Sequence, residues 1–200
     1  GKGIPKDEIR TAFMRHATSK IDSFEDLENV LTLGFRGEAL SSIASVAQVE
    51  MLTRTENDSM GTRIVINGGV VDREEECAAN VGTVFYVKNI FFNTPARRKF
   101  LKKPATEGSY ISEIVNRIAL GHPNIAIKYV NNGNIVLQTN GDGNVKNSLF
   151  YIYGKDIASK MLSLESEKDG YILKGLVGKP ELSRGNRNYE NFFINGRFIK

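Results

Sequence analysis

The sequence predicts an α/β chain of the α+β kind, in which a helical beginning gives way to antiparallel strands and a second α/β domain follows. Three observations carry this. The apolar period changes from 3.6 to 2 after Leu40, Ile43, Ala44 and Ala47: residues 49–54, 61–66 and 70–73 alternate in the manner of strands. Tyr110, Ile111, Ile114, Val115, Ile118 and Ala119 mark the apolar face of a long helix, set to cover a sheet and to supply core residues. Thr139-Asn140-Gly141-Asp142-Gly143-Asn144 has linker composition and sets a boundary between domains 1–142 and 143–200.

Taken in order, the chain opens on a glycine turn, Gly1-Lys2-Gly3-Ile4. Pro5 with Asp7 and Glu8 then starts a helix whose Ile9, Ala12 and Phe13 face inward. Arg15-His16-Ala17-Thr18-Ser19-Lys20 is too rich in small polar residues to be core and reads as a mobile loop. Ser23 and Asp26 resemble a capping pair before a short helix bearing Leu27, Val30 and Leu31. After the central helix comes an antiparallel meander, with Asn67-Gly68-Gly69 as a hairpin turn, Glu74-Glu75-Glu76 as a solvated turn and a further strand at 82–87. Thr94 caps a helix with Pro95 at its first position. Beyond the long helix, 126–130 and 135–138 form a hairpin. A helix broken at Gly154 follows, then strands 163–167 and 171–177, a polar loop, and a last hairpin around Asn195-Gly196. The chain starts without Met inside a turn and closes on a hairpin, which reads as a stretch of a longer protein.

Composition narrows the class. Two hundred residues, 40% hydrophobic and 25% charged, are globular proportions. No apolar run approaches the roughly 20 residues of a membrane helix, and no signal pattern is present, so neither a membrane partner nor secretion is expected. A single cysteine, Cys77, excludes an intrachain disulfide and reads as structural, and two histidines leave no metal-ligand spacing. The net charge of +4 is too small to argue a nucleic-acid partner by itself.

Two stretches carry chemistry. In Gly34-Phe35-Arg36-Gly37-Glu38-Ala39-Leu40 a glycine-hinged loop feeds a helix N-terminus. There the first N–H groups lack acceptors and the dipole is positive, which suits a phosphate. An ordinary loop-to-helix junction would use the same residues. With 15–20 on the other side of a short helix, the arrangement has the makings of a lid over a ligand. The second stretch, Asn93 onward, places Arg97, Arg98, Lys99, Lys102 and Lys103 together, either as a solvated helix end or as an edge for nucleic-acid phosphates.

Gly1-x-Gly3-Ile4, Arg15-His16-Ala17-Thr18-Ser19-Lys20, Gly34-Phe35-Arg36-Gly37-Glu38-Ala39-Leu40, Gly82-Thr83 and Asn93-Thr94-Pro95-Ala96-Arg97-Arg98-Lys99-Phe100, in this order and spacing, resemble the N-terminal ATPase region of MutL-type DNA mismatch repair proteins. That family shares its ATPase with type II topoisomerases, heat-shock chaperones and histidine kinases. The resemblance implies a two-layer α/β sandwich, helices over a mixed sheet, followed by the start of a transducer domain of the ribosomal-protein-like α/β type.

It also implies roles. Gly1, Gly3 and Ile4 match the glycine turn near the nucleotide; Ala17, Thr18, Ser19 and Lys20 match the first lid segment; Gly34, Phe35, Arg36, Gly37, Glu38, Ala39 and Leu40 match the segment that wraps the triphosphate; Thr83 matches the threonine near adenine. ATP and Mg2+ are the implied cofactors. The water-activating glutamate, the magnesium-holding asparagine and the adenine-reading aspartate would precede Gly1, so no general base or metal ligand is nameable here and residues 1–200 alone are expected not to turn over ATP. A lysine reaching the γ-phosphate would follow Lys200. Implied partners are DNA, bound weakly and without sequence preference; a MutS-type mismatch recognition protein; and a second copy or a paralogue in a dimer. Arg197, after a tight turn in the transducer part, is favoured as a DNA contact over Arg97, Arg98 and Lys99. The location would be cytoplasm or nucleoid in a bacterium and nucleus in a eukaryote. Rival readings are another ATPase of the superfamily, such as a topoisomerase subunit, and a DNA-binding scaffold without ATP turnover.

Overall fold

In the computed structural model, residues 1–17 and 37–199 are described. They fall into two compact units, Gly1–Leu101 and Lys102–Lys200. The stretches 18–20 and 34–36, and the short helix expected between them, lie outside the described residues.

The first unit is helices on one face of a four-stranded sheet. A turn of 3-10 helix at Lys6–Glu8 leads into α1 (Ile9–Ala12), and α2 spans Ala39–Val46. The strands are β1 (Gln48–Arg54), β2 (Gly61–Asn67), β3 (Val70–Cys77) and β4 (Gly82–Lys88), followed by the four-residue α3 (Pro95–Arg98). Their order is β3-β2-β1-β4 with every pairing antiparallel. Among the described residues the sheet is therefore antiparallel rather than mixed. Nor is it a plain meander, because β4 pairs with β1. Residues 78–81 link strands that lie three spacings apart, about 14 Å, which an extended chain of that length can span.

The alternation of β1 decides which face is core. Val49, Met51 and Thr53 are buried while their neighbours are half-buried. Val49 and Met51 pair with Ile66 and Ile64 and pack with Ile9, Ala44 and Ala47, and Ile4 and Phe13 close over the cluster. Phe13 meets Phe85 of β4 edge-on at 6.4 Å, fixing Phe85 to the same face. Ile43, on the apolar spacing of α2, is exposed; the small Ala44 of the helix and Ala47 just beyond its end make the contact instead.

Glu74, Glu75 and Glu76 are strand, not turn. Three like charges in a row are tolerable in β3 because alternation sends them to opposite faces and each meets a cation. Arg10 donates to Glu74 at 2.7 Å, Lys6 to Glu76 at 2.8 Å, and Arg63 to Glu75 at 2.6 Å. On the face away from the helices Glu50 holds both Arg63 and Lys88.

The second unit contains α4 (Pro104–Gly121), the hairpin β5 (Lys128–Asn131) and β6 (Asn134–Gln138), α5 (Val145–Tyr153) and α6 (Lys155–Ser159) parted at Gly154, then the hairpins β7 (Met161–Lys168) with β8 (Tyr171–Gly178) and β9 (Phe192–Ile194) with β10 (Arg197–Ile199). Residues 139–144 are tied down. The Thr139 hydroxyl accepts from Ile127 N–H, and Asp142 accepts from Asn144 N–H and the Asn147 side chain. Within this unit α4 buries Ala119, and Arg117 lies 4.3 Å over the Phe198 ring. Tyr110, Ile111 and Ile114, read as core, are exposed. Periodicity reports that a helix face is apolar; it does not say which element covers it.

Candidate nucleotide-binding site

Two clusters in the first unit gather most of the described candidate residues. The first is at the N-terminus of α2. Gly37 has φ +64°, and a Cβ there would stand 2.1 Å from the Ala17 carbonyl oxygen. Only glycine permits both that backbone and that approach. Ala17 and Gly37, taken from two separate stretches of the sequence, are thus in contact. Glu38 occupies the N-cap position without a side-chain cap bond. Its carboxylate turns to the His16 imidazole, Nδ1 to Oε1 at 3.1 Å, and its carbonyl accepts from the Ser41 hydroxyl. The first N–H groups of α2 therefore have no carboxylate cap. Beside them lies a small open cavity of about 230 Å³ lined by Arg15, His16, Glu38, Ser41 and Ser42. Donors of this kind at a helix start fit a phosphate. Ala39 is exposed and Leu40 half-buried. Thr18, Ser19, Lys20, Gly34, Phe35 and Arg36 lie outside the described residues.

The second cluster is at the open end of β1. Thr53, 1% exposed, sits between Thr62 of β2 and Thr83 of β4 in register. Its hydroxyl oxygen is 2.8 Å from Ile4 N–H, 3.0 Å from the Thr83 hydroxyl and 3.2 Å from the Gly82 carbonyl. Gly3, φ +83°, is pressed on Arg54, whose carbonyl oxygen would be 2.1 Å from an added Cβ. Gly3, Ile4 and Thr83 are thereby brought together, with Gly1 exposed beside Gly82. Thr53 was not among the expected site residues. Its signal in the sequence is a hydroxyl at an inward position of a strand whose other inward residues, Val49 and Met51, are apolar.

The basic candidates are placed less distinctively. Arg97, Arg98 and Lys99 are exposed at the end of α3, as are Lys102 and Lys103. Thr94 stands at the N-cap of α3, yet its hydroxyl makes no cap bond. Arg197 is half-buried at the start of β10, where it already has interactions. Among the described residues no group of three or more His, Cys, Asp and Glu could hold a metal ion, and no helix is long and apolar enough to cross a membrane.

The chain matches the DNA mismatch repair protein MutL of Agathobacter rectalis at 52% identity and that of Clostridium botulinum at 48%, in each case over all 200 residues. This chain is MutL-like from end to end. It spans about a third of the length of those relatives, 31% and 30%. The profile of the family described as DNA mismatch repair protein, C-terminal domain, matches residues 149–200. The chain is similar over its whole length to a solved structure of the Aquifex aeolicus MutL ATPase domain complexed with ADP, with 26% identity and a TM-score of 0.75, covering 68% of that chain. A second structure of the Aquifex MutL ATPase domain aligns at 25% identity with a TM-score of 0.69, covering 65% of that chain. The architecture of this MutL-like chain, helices with an antiparallel sheet, is that of those ATPase domains.

Proposed function

We propose that this chain is the nucleotide-binding and switching part of an ATP-hydrolysing DNA mismatch repair protein. The observation that carries the reading is the contact of Ala17 with Gly37 at the uncapped start of α2, which joins the two lid stretches where a phosphate would bind. The likeness to an ATPase domain complexed with ADP supports it.

The residues present fit a nucleotide. The N–H groups of α2 would receive phosphate oxygens, and residues 17–20 and 34–40 would exclude water on closing. His16 engages the Glu38 carboxylate beside that site, and Thr83 with the Gly3-Ile4 turn would take the base. Bound ATP supplies the phosphoryl group that is transferred to water. Among the described residues no group of His, Cys, Asp and Glu could hold magnesium, and the resemblance assigns the metal ligand and the general base to other residues of the family's ATPase region. Closure favouring dimerisation, with itself or a paralogue, and recruitment of a MutS-type partner and of DNA complete the reading. The match of the C-terminal profile to 149–200 supports a transducer domain from residue 143. In a bacterium the protein would act in the cytoplasm or nucleoid.

The test is titration of the full-length protein with a fluorescent ATP analogue, beside Gly37→Val and Thr83→Val. Each variant should bind at least about tenfold more weakly, the loss of one or two hydrogen-bonding contacts. Failure of the parent to bind, or parental affinity in both variants, would overturn the proposal.

A further inference from the structure

Glu38 stands at the N-cap of α2, within a side chain's length of that helix's own first N–H groups. Those groups lack acceptors inside the helix, and an oxygen on the N-cap residue is the usual way to satisfy them. Glu38 makes no such bond. Among the described residues its carboxylate pairs instead with His16, Nδ1 to Oε1 at 3.1 Å. Either a neutral imidazole protonated at Nδ1 or an imidazolium can donate this bond. His16 takes its position with φ +62°, a left-handed backbone that a residue with a Cβ seldom adopts. Such a conformation persists where the surroundings impose it, and the next residue, Ala17, is the one against which Gly37 is pressed.

Stability is a poor explanation for the pair, because its side chains are 78% and 44% exposed and an ion pair so open to water contributes little. Its larger effect is on the charge that an anion would meet. The cavity at this helix start is lined by Arg15, His16, Glu38, Ser41 and Ser42, of which Glu38 is the one anion. Left loose at the N-cap, its carboxylate would compete for the N–H groups that a phosphate needs and would repel the phosphate as well. We propose that His16 is a positioning residue of the nucleotide site, which holds the Glu38 carboxylate off the start of α2 and so leaves the helix N–H groups to the phosphates. The inference rests on the nucleotide-binding reading above and adds to it a residue that acts through Glu38 rather than on the ligand.

The experiment measures dissociation constants of ADP for the full-length parent, His16→Gly, His16→Asn, Glu38→Gln and the double variant His16→Gly/Glu38→Gln. Glycine accepts the left-handed backbone and removes the imidazole; asparagine also accepts it and carries an amide N–H close to where Nδ1 stands. His16→Gly should weaken ADP about fivefold, the scale of one charge at a helix terminus. Raising the ionic strength from about 0.05 M to about 0.5 M should shrink that loss, since repulsion between exposed charges is screened. His16→Asn should recover most of the affinity. In the Glu38→Gln background removal of the imidazole should change binding less than about twofold, because no carboxylate remains to be held. A salt-independent loss, an equal loss with and without the Glu38 carboxylate, or His16→Asn as weak as His16→Gly overturns the proposal. So does a lowered urea midpoint in His16→Gly, which would make the pair structural. If the parent does not bind ADP, the nucleotide-binding reading itself has failed and the inference falls with it. If the parent binds and His16→Gly binds equally well, this inference alone has failed.

Discussion

Gly37 rests on the backbone of Ala17, with the Ala17 carbonyl oxygen 2.1 Å from where a Cβ of residue 37 would be. In the sequence this glycine belongs to a hinged loop that feeds a helix N-terminus suited to a phosphate. The structure gives it a near neighbour in Ala17, a residue of the proposed first lid stretch.

Gly37→Ala should accordingly part the two stretches even without ligand. The left-handed backbone disfavours alanine by about 1 kcal/mol, and the backbone clash adds to that. Hydrogen exchange at residue 17 and at 37–40 reads the effect. Exchange should be slowed by an ATP analogue in the parent and unaffected by it in the variant. Identical protection in both would show that the contact does not organise the lid.

Gly3→Ala should destabilise the first unit as a whole, since the obstacle is the Arg54 backbone at the end of a core strand. A cost of about 2 kcal/mol or more is expected for a strained site with a fixed neighbour. Urea denaturation followed by tyrosine fluorescence would show a lowered midpoint at unchanged slope.

Acid should loosen the sheet's outer face. The Arg63 hydrogen bond holds the Glu50 carboxyl below its ordinary value, with lesser help from the charges of Arg63 and Lys88, against the opposing effect of desolvation. A carboxyl depressed on folding contributes stability above its unfolded value, near 4.5, and that contribution is lost as pH falls through the lower folded value. Lys6 runs the other way. Its hydrogen bond to Glu76 raises its value above 10.5, so its share is complete below 10.5 and lost as pH rises beyond the raised value. Thus Glu50→Gln should flatten the fall of the urea midpoint below about pH 4.5 and leave the alkaline limb alone. An acid limb as steep as the parent's would count against the assignment.

For DNA, the preference stays with Arg197. Arg197→Glu in the full-length protein should weaken binding equally for all sequences and lower the salt slope by about one unit, as loss of one phosphate contact does. A joint reversal of Arg97, Arg98 and Lys99 should change the slope less. The opposite ranking would move the contact to the end of α3.

Much of this protein is legible in its chain because local chemistry determines it. The switch of apolar period near residue 48, the Asn-Gly and Asp-Gly turns, and the glycine before α2 state their conformations within a few residues. The roles of 15–20, 34–40 and Thr83 are of another kind: the family resemblance of motifs at fixed spacing implies them, and local chemistry does not. The partner of each element was not legible, since partners are chosen across long separations. Periodicity made Ile43 and the Ile111 face of α4 apolar but could not say whether anything covers them. Three adjacent glutamates look like a turn until Lys6, Arg10 and Arg63 are brought beside them, because an unpaired charge row and a paired one have the same sequence. Pairing β4 with β1 rather than β3 is what sets Thr53 against Thr83. A hydroxyl's role depends on which donors and acceptors reach it, and only the tertiary structure brought Ile4, Gly82 and Thr83 to the same oxygen.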